Sequence, residues 1–344
     1  MAYDINLFSH LRAISECLPK FEARARIDFE TLNLLIRGRG RQIELLPQFM
    51  CRREAGLVYT PRLSADVRAF IGWRPYFNRV WREATDKMIF KDFCASNGLR
   101  TPPRYLRAED VRSDVLVKRA RSSFGQGMTG PFTANAVNEL NYVPRDGEYF
   151  EEFIRGDIAK IWYWNDEPAS LEIIPMPAVV GDGRSTLRDL IANIKSLFAF
   201  AEPDQAQLRE ALAQFQGLTL DSMPRDGQRV LVDFRYQSTL HPTVFSKVNQ
   251  LKEYEGTRAL EQIREAGKDF WNVIPEQLRQ NIVYTIDAIV DEQHNVWFLE
   301  MNCNPLVHPD VYPAMIESML VATASQPVPH HVAPSASYSA AASI

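Results

Sequence analysis

Two apolar strands near the C-terminus, Tyr284–Val290 and Val296–Met301, are predicted as a hairpin closed by the polar turn Asp291-Glu-Gln-His-Asn295. Charge on these strands is confined to Asp287 and, thirteen residues later, Glu300, and the alternation runs on through Asn302 and Asn304 to Pro305. Residues two apart on a strand share a face. Glu300, Asn302 and Asn304 are therefore predicted on one face, and Leu299, Met301 and Cys303 on the other. A carboxylate and two amides in a row on an apolar strand are costly to bury without a partner. A hairpin also sets Asp287 beside Glu300, and two such carboxylates repel unless a cation lies between them. Magnesium takes oxygen ligands, often one or two carboxylates plus substrate phosphates. Asp287, Glu300 and Asn302 are thus the candidate metal ligands; a polar face turned to solvent is the alternative.

Composition narrows the rest. The 344 residues are enough for two or three domains. With 46% hydrophobic and 24% charged residues the chain reads as globular, and a net charge of −4 offers no field to recruit nucleic acid. Cys17, Cys51, Cys94 and Cys303 lie far apart and form no zinc or disulfide pattern, so they are read as buried thiols. The start of the sequence lacks the features of a signal peptide, and no run approaches the ~18 apolar residues of a membrane helix. No membrane partner and a cytoplasmic location are expected by default.

Along the chain, residues 5–26 show helical spacing at Leu7, Leu11, Ile14, Leu18 and Phe21, and residues 28–60 read as short strands, giving a small N-terminal α/β unit. A helix over 84–97 follows, with Thr85 or Asp86 as its cap and Gly98 after its end. Val115-Leu-Val-Lys118 is a short strand entering the glycine-containing loop 122–128, whose backbone N–H groups suit phosphate oxygens within reach of Lys118. Further strands are predicted over 149–154, 158–164, 170–180 and 230–234, and helices over 187–194, 198–225, 255–282 and 310–321. Residues 322–344, rich in Ala, Ser and Pro, are expected to be a disordered tail.

Asp287 followed by Glu300-x-Asn302-x-Asn304-Pro305 resembles the metal-binding signature of the ATP-grasp superfamily, which includes D-alanine:D-alanine ligases, glutathione synthetases, cyanophycin synthetases and RimK-like glutamate ligases. The resemblance covers about residues 84–321, with its motifs in the family's order. Asp86-Lys87-Met-Ile-Phe-Lys91 is similar to the helix start carrying the first nucleotide-contacting lysine, and Lys91 is read as equally able to be merely exposed. Lys118 and the loop holding Ser122, Ser123, Gly125, Gln126 and Gly127 resemble the strand lysine and mobile loop that close on the phosphates. Glu151, Glu152, Phe153, Ile154 and Asp157 resemble the hinge that holds adenosine, with Asp157 toward the ribose. Val179-Val-Gly-Asp-Gly-Arg184-Ser-Thr-Leu-Arg-Asp-Leu190 resembles the VVGDGKSTIREL string of cyanophycin synthetases; physically it is a turn and a capped helix. Phe234-Arg235-Tyr236-Gln237-Ser238 resembles the segment that supplies an arginine to the transferred phosphoryl group, although the usual asparagine and glycine are replaced. Relatives often carry an arginine two residues after the hinge aspartate; here Ala159 stands there, and Lys160 is one residue on and expected on the opposite strand face.

The resemblance implies an α/β (α+β) ATP-grasp fold: an N-terminal α/β domain over 1–83, an ATP-grasp domain over 84–321 holding nucleotide between two α+β subdomains, and a mobile lid at about 105–155. It implies an ATP-dependent carboxylate–amine ligase working through an acyl phosphate, with Arg235 and Lys118 as catalytic cations. ATP and two magnesium ions, for which manganese can substitute, are the implied cofactors. Small-molecule or peptide carboxylates and amines are the implied substrates, and a homodimer is among the assemblies allowed. A small-molecule kinase and a non-catalytic nucleotide-binding protein are the alternatives. Trp73-Arg-Pro-Tyr76 and Trp81-Arg82 are left as either substrate-facing or a domain junction, and His308 as an acid/base or a plain loop residue.

Overall fold

The computed structural model describes residues 7–53, 56–122, 128–139, 142–194, 203–236, 238, 240 and 249–321. The chain opens with helix α1 (Leu7–Cys17), then a 3₁₀ turn at Leu18–Phe21. Strands β1 (Arg24–Ile27), β2 (Leu34–Gly38), β3 (Arg41–Arg53), β4 (Gly56–Thr60) and β5 (Val67–Arg74) follow. The single helix predicted over 5–26 therefore ends early: Pro19 sits in the 3₁₀ turn and Glu22 adopts φ 51°, which turns the chain into β1. The long β3 pairs with β2 along its first half and with both β4 and β5 along its second.

Helix α2 (Lys87–Ser96) starts where the Asp86 carboxylate accepts the Met88 and Ile89 amides, and it stops before Gly98 at φ 69°. A four-stranded sheet follows, in the order β6 (Arg104–Tyr105), β9 (Glu148–Glu152), β7 (Val115–Arg119), β8 (Thr129–Phe132), with α3 (Ala134–Glu139) beside it. Next come β10 (Asp157–Trp164), β11 (Glu167–Pro175) and β12 (Ala178–Val180), then α4 (Leu187–Ala192), α5 (Pro203–Phe215) and β13 (Arg229–Leu231), which pairs with β12. Thr186 and Asp189 form a reciprocal capping box at the start of α4, so the Gly181–Leu190 string is a turn and a capped helix, as its residues predict.

Helix α6 (Arg258–Val273) ends two residues before Pro275, shorter than the predicted 255–282. Strands β14 (Val283–Val290) and β15 (Val296–Asn302) and helix α7 (Val311–Val321) complete the described chain; the tail expected at 322–344 lies outside it. The central sheet has the order β11-β10-β14-β15. All described strand pairs are antiparallel, so the architecture is α+β, including the N-terminal unit expected as α/β. Among the described residues no helix is long and apolar enough to cross a membrane.

Helix α6 buries Ala259, Leu260, Ile263, Ala266, Gly267 and Phe270, the spacing of one helical face, against one side of the central sheet. Tyr163 of β10 reaches it, its hydroxyl donating to the Ile263 carbonyl at 2.7 Å. A β-carbon on Gly267 would overlap the Asp166 carbonyl oxygen and press on the Tyr163 ring. Helix interiors usually favour alanine over glycine by ~1 kcal/mol. Here Gly267→Ala is expected to cost about 2 kcal/mol through overpacking, checked by thermal or urea unfolding.

The N-terminal sheet shares this core. The Trp73 amide donates to the Tyr312 hydroxyl (3.0 Å), the Tyr76 hydroxyl donates to the Val283 carbonyl (3.0 Å), and the Trp81 indole N–H meets Met301 Sδ (3.1 Å). Trp73, Tyr76 and Trp81 thus form the junction with the central sheet rather than a substrate-facing surface.

Candidate nucleotide and metal site

The other side of the central sheet carries the chemistry. Register aligns Glu172 of β11 with Lys160 of β10, Lys160 with Asp287 of β14, and Asp287 with Glu300 of β15. Four charged side chains therefore stand in one row across four adjacent strands. Beyond Asp287 the β14–β15 register shifts, with Ala288 opposite Phe298 and Leu299 unpaired. Such a bulge re-aims the side chains beside it. Leu299 consequently packs in the cluster with Ile158 and Ile289, whereas Met301 and Cys303 enter the main core. Leu299 was predicted on the Met301 face, and the bulge is why it is not.

Lysines balance the acids. Lys160 forms an ion pair and hydrogen bond with Asp287 Oδ1, and the Asn302 amide donates to Asp287 Oδ2 at 3.3 Å. Lys87 Nζ lies 2.9 Å from Glu300 Oε2 and donates to the Ser122 carbonyl at 2.7 Å, linking α2, the end of β7 and β15. Asp287 and Glu300 keep 22% and 27% of their side-chain surface exposed, so the pair is open to solvent on one side. Burial pushes the Asp287 carboxyl above the usual carboxylate range; Lys160 opposes the rise and Glu300 adds to it. Burial acts the same way on Glu300, but Lys87, Lys118 and Lys160 together outweigh it and hold that carboxyl below its usual range.

Lys160 was expected on the face away from the site. It is Ala159 that is fully buried in the main core, while Lys160 points to the acids, packed 5.0 Å from the Tyr236 ring centroid. Glu172 is the residue that strand reading passed over, and Lys160 the one it set on the opposite face. Their signal was a lone charge inside each of two apolar strands, Ile158–Trp164 and Ser170–Ile174.

Apolar residues of both sheets meet next to the charged row. Leu116 of β7, Phe153, Ile158, Met176, Ile289 and Phe234 form one buried cluster, with Ile154, Trp297 and Leu299 at its edge. Phe153 and Ile154, predicted as hinge residues, lie here. Glu152 accepts from the Ser113 hydroxyl at 2.9 Å, and Asp157 is exposed at the start of β10.

Glu151 has a different setting from the open adenine contact expected of it. Its Oε1 takes Lys118, and its Oε2 takes Lys91 (2.7 Å) and the Tyr149 hydroxyl (3.2 Å). Lys91, read as exposed, is 2% exposed like Glu151 itself, and it also donates to Thr101 Oγ1 and the Pro102 carbonyl. Burial alone would raise the Glu151 carboxyl, but the two lysines bring it down to about 2.

Arg235 grips Asp233 through two parallel hydrogen bonds of 3.0 Å each, and Ser238 Oγ donates to the same carboxylate at 2.7 Å. Asn304 lies beyond the end of β15 and off the acidic row: its Oδ1 accepts from Arg74 and the Arg79 amide, and its Nδ2 donates to the Arg79 carbonyl, so it fastens the 74–79 segment. Ser122 is placed by Lys87 as above, whereas Ser123, Gly125, Gln126, Gly127 and Gln237 lie outside the described residues. Cys303 is buried, and burial raises its thiol to about 11.

The donor set fits magnesium. Among the described residues no group of three or more His, Cys, Asp and Glu side chains is placed to hold a metal ion. Two carboxylates in register beside an amide, open on one side, leave room for phosphate oxygens.

No family model matches the chain, and no curated protein matches its sequence. Among solved structures, it is similar to a bifunctional glutathione synthetase from Pasteurella multocida (TM-score 0.41, 14% identity), covering 92% of this chain and 44% of that one. It is also similar to a D-alanine–D-alanine ligase from Bacillus anthracis (TM-score 0.34, 13% identity; 70% of this chain, 65% of that one). A third likeness is to an N5-carboxyaminoimidazole ribonucleotide synthetase from Thermotoga maritima (TM-score 0.32, 11% identity; 64% of this chain, 42% of that one). The chain thus spans less than half of the first and third and about two thirds of the second. Likeness this remote carries no chemistry across, and what this chain can do rests on its own side chains.

Proposed function

We propose that the chain is an ATP-dependent carboxylate–amine ligase of the ATP-grasp kind, acting on an amino acid or peptide. The observation that supports this best is the row Lys160–Asp287–Glu300 with Lys87 at its end, standing beside an apolar cluster shared by two sheets. The apolar cluster suits a purine ring, with the Phe153–Ile154 backbone toward its edge and Asp157 toward the ribose. Asp287, Glu300 and Asn302 would hold magnesium, which supplies charge neutralisation at the phosphate oxygens.

The acids pair with Lys87 and Lys160. A cation held by the acids would leave the charge of these lysines less neutralised and available to anionic groups beside it. Lys87, which donates to the Ser122 carbonyl, would lie toward the phosphates, and Lys160 toward the carboxylate being activated. Lys118 is kept in place by Glu151, and Arg235 by Asp233. The work asked of these groups is positioning and electrostatic stabilisation; no covalent enzyme intermediate is required. A substrate carboxylate oxygen attacks the γ-phosphorus and ADP leaves. An amine then attacks the acyl carbon, and inorganic phosphate departs as the C–N bond forms.

Incubating the full chain with ATP, magnesium and a pool of amino acids and peptides, with phosphate assay and mass spectrometry of products, tests the reading. Phosphate release with a condensed product is expected. A product heavier by one phosphoryl group would replace the ligase by a kinase, and no turnover with undiminished ATP binding would leave a binding protein.

A further inference from the structure

The charged row does not end at the metal-binding acids. Glu172 lies on β11, two strands from Asp287, about 10 Å across the sheet at the usual strand spacing. One carboxylate oxygen, Oε2, accepts from the Tyr236 hydroxyl. The other, Oε1, is buried without a hydrogen-bond partner and faces His308 Nε2 at 3.5 Å, which also has none. His308 is 1% exposed, its ring packs on Trp162 at 5.1 Å, and its Nδ1 accepts the Asp310 amide at 3.1 Å. In the neutral ring this acceptor role assigns the proton to Nε2.

Register places two more buried groups one step along the same face: Ser170 and Thr285 flank Trp162, and neither hydroxyl has a hydrogen-bond partner. A buried polar atom left unpaired costs stability, and several on one small patch mark a place where a polar ligand completes the bonding. Glu172 offers a carboxylate oxygen, which accepts only. Lys160 stands between it and the metal-binding acids, already satisfied by Asp287.

Resting on the ligase reading above, we infer that Glu172, held by Tyr236 and flanked by His308, is the subsite for the ammonium group of the acceptor amine. The order along the row then matches the order of the reaction: metal and phosphate at Glu300 and Asp287, activated carboxylate at Lys160, and at Glu172 the incoming nitrogen, whose ammonium gives up a proton to solvent before its lone pair attacks the acyl carbon. A primary ammonium has N–H groups to donate to this acceptor oxygen, and a quaternary one has none. Glu172 is a binding residue in this scheme, distinct from the residues that activate the carboxylate.

The test uses two minimal nucleophiles with the full chain, ATP, magnesium and a carboxylate pool. Hydroxylamine, uncharged at neutral pH, traps an acyl phosphate as hydroxamate without needing an ammonium site. Methylammonium needs one and gives an N-methylamide. Glu172→Gln is expected to lower the ratio of N-methylamide to hydroxamate about tenfold or more, because a charge-assisted bond is lost. In the unmodified chain methylammonium is expected to suppress hydroxamate formation, and tetramethylammonium at equal ionic strength is not. This second comparison stands even if the variant does not fold. An unchanged product ratio in Glu172→Gln, or equal effects of the two ammonium ions, overturns the subsite while leaving the ligase reading intact. Absence of hydroxamate with every carboxylate overturns the ligase reading itself.

Discussion

Replacing Asp287 with Asn and Glu300 with Gln together is expected to lower magnesium-dependent ATP turnover by about a thousandfold or more, with the fold retained. The two carboxylates are adjacent in register beside Asn302 and are the two acids of the row most open to solvent. Without them nothing in that row balances a divalent cation against the triphosphate. Stability is expected to move differently. Burial and the neighbouring Glu300 make the charged form of Asp287 unfavourable in the folded chain. A carboxyl raised above its unfolded value subtracts stability at pH above that raised value, so Asp287→Asn removes a cost. The thermal midpoint of that single variant is expected to stay level or rise, the pattern of a residue kept for chemistry at the expense of stability. Phosphate release and thermal melts, measured in parallel, read both effects. Retained turnover in the double variant would sink the metal-site assignment.

The largest loss of stability is expected from Glu151→Gln. Lys91 and Glu151 are each 2% exposed, and Lys118 shares the same carboxylate. Removing the carboxylate that both lysines pair with leaves Lys91 buried without an ion-pair partner among the described residues, at about 3–5 kcal/mol. Burial lowers the Lys91 ammonium, Glu151 pulls it back, and the stabilising balance therefore resides on the carboxylate, which faces two cations. The sign with pH follows. A carboxyl held at about 2 in the folded chain contributes stability that is fully present above its unfolded value of ~4.3 and is lost as pH falls from there toward 2. Urea unfolding across that acid range should show this loss in the unmodified chain and less of it in Glu151→Gln. A variant within about 1 kcal/mol of the parent at neutral pH would mean that the lysines find other partners.

The acidic hairpin was legible because it is local. Asp287 and Glu300 are thirteen residues apart on adjoining strands, and period-two alternation states which face each occupies until the bulge at Leu299 breaks it. A bulge has no marker in such a strand: Val296-Trp-Phe-Leu299 is apolar on either register. Helix ends written in side-chain chemistry were also readable, as at Asp86, Gly98 and Thr186. Lys160 and Glu172 were harder. Their meaning depends on β10 pairing with both β11 and β14, and β14 lies more than a hundred residues away, so no local pattern tells whether a lone lysine in an apolar strand meets solvent or an aspartate. Lys91 shows the same limit: an i, i+4 partner of Lys87 on a helix looks exposed until β9 brings Glu151 against it. Trp73, Tyr76 and Trp81 were ambiguous for a related reason, since large aromatics serve a ligand pocket or a domain junction equally well until their partners, Tyr312, Val283 and Met301, are known.

The central claim is a magnesium-dependent nucleotide site between the two sheets, and calorimetric titration of the full chain with ATP tests it most directly. Binding of a single ATP per chain is expected with magnesium present, sharply weakened when magnesium is withheld and in Asp287→Asn/Glu300→Gln. Absence of ATP binding, or binding indifferent to both magnesium and the two acids, would contradict it.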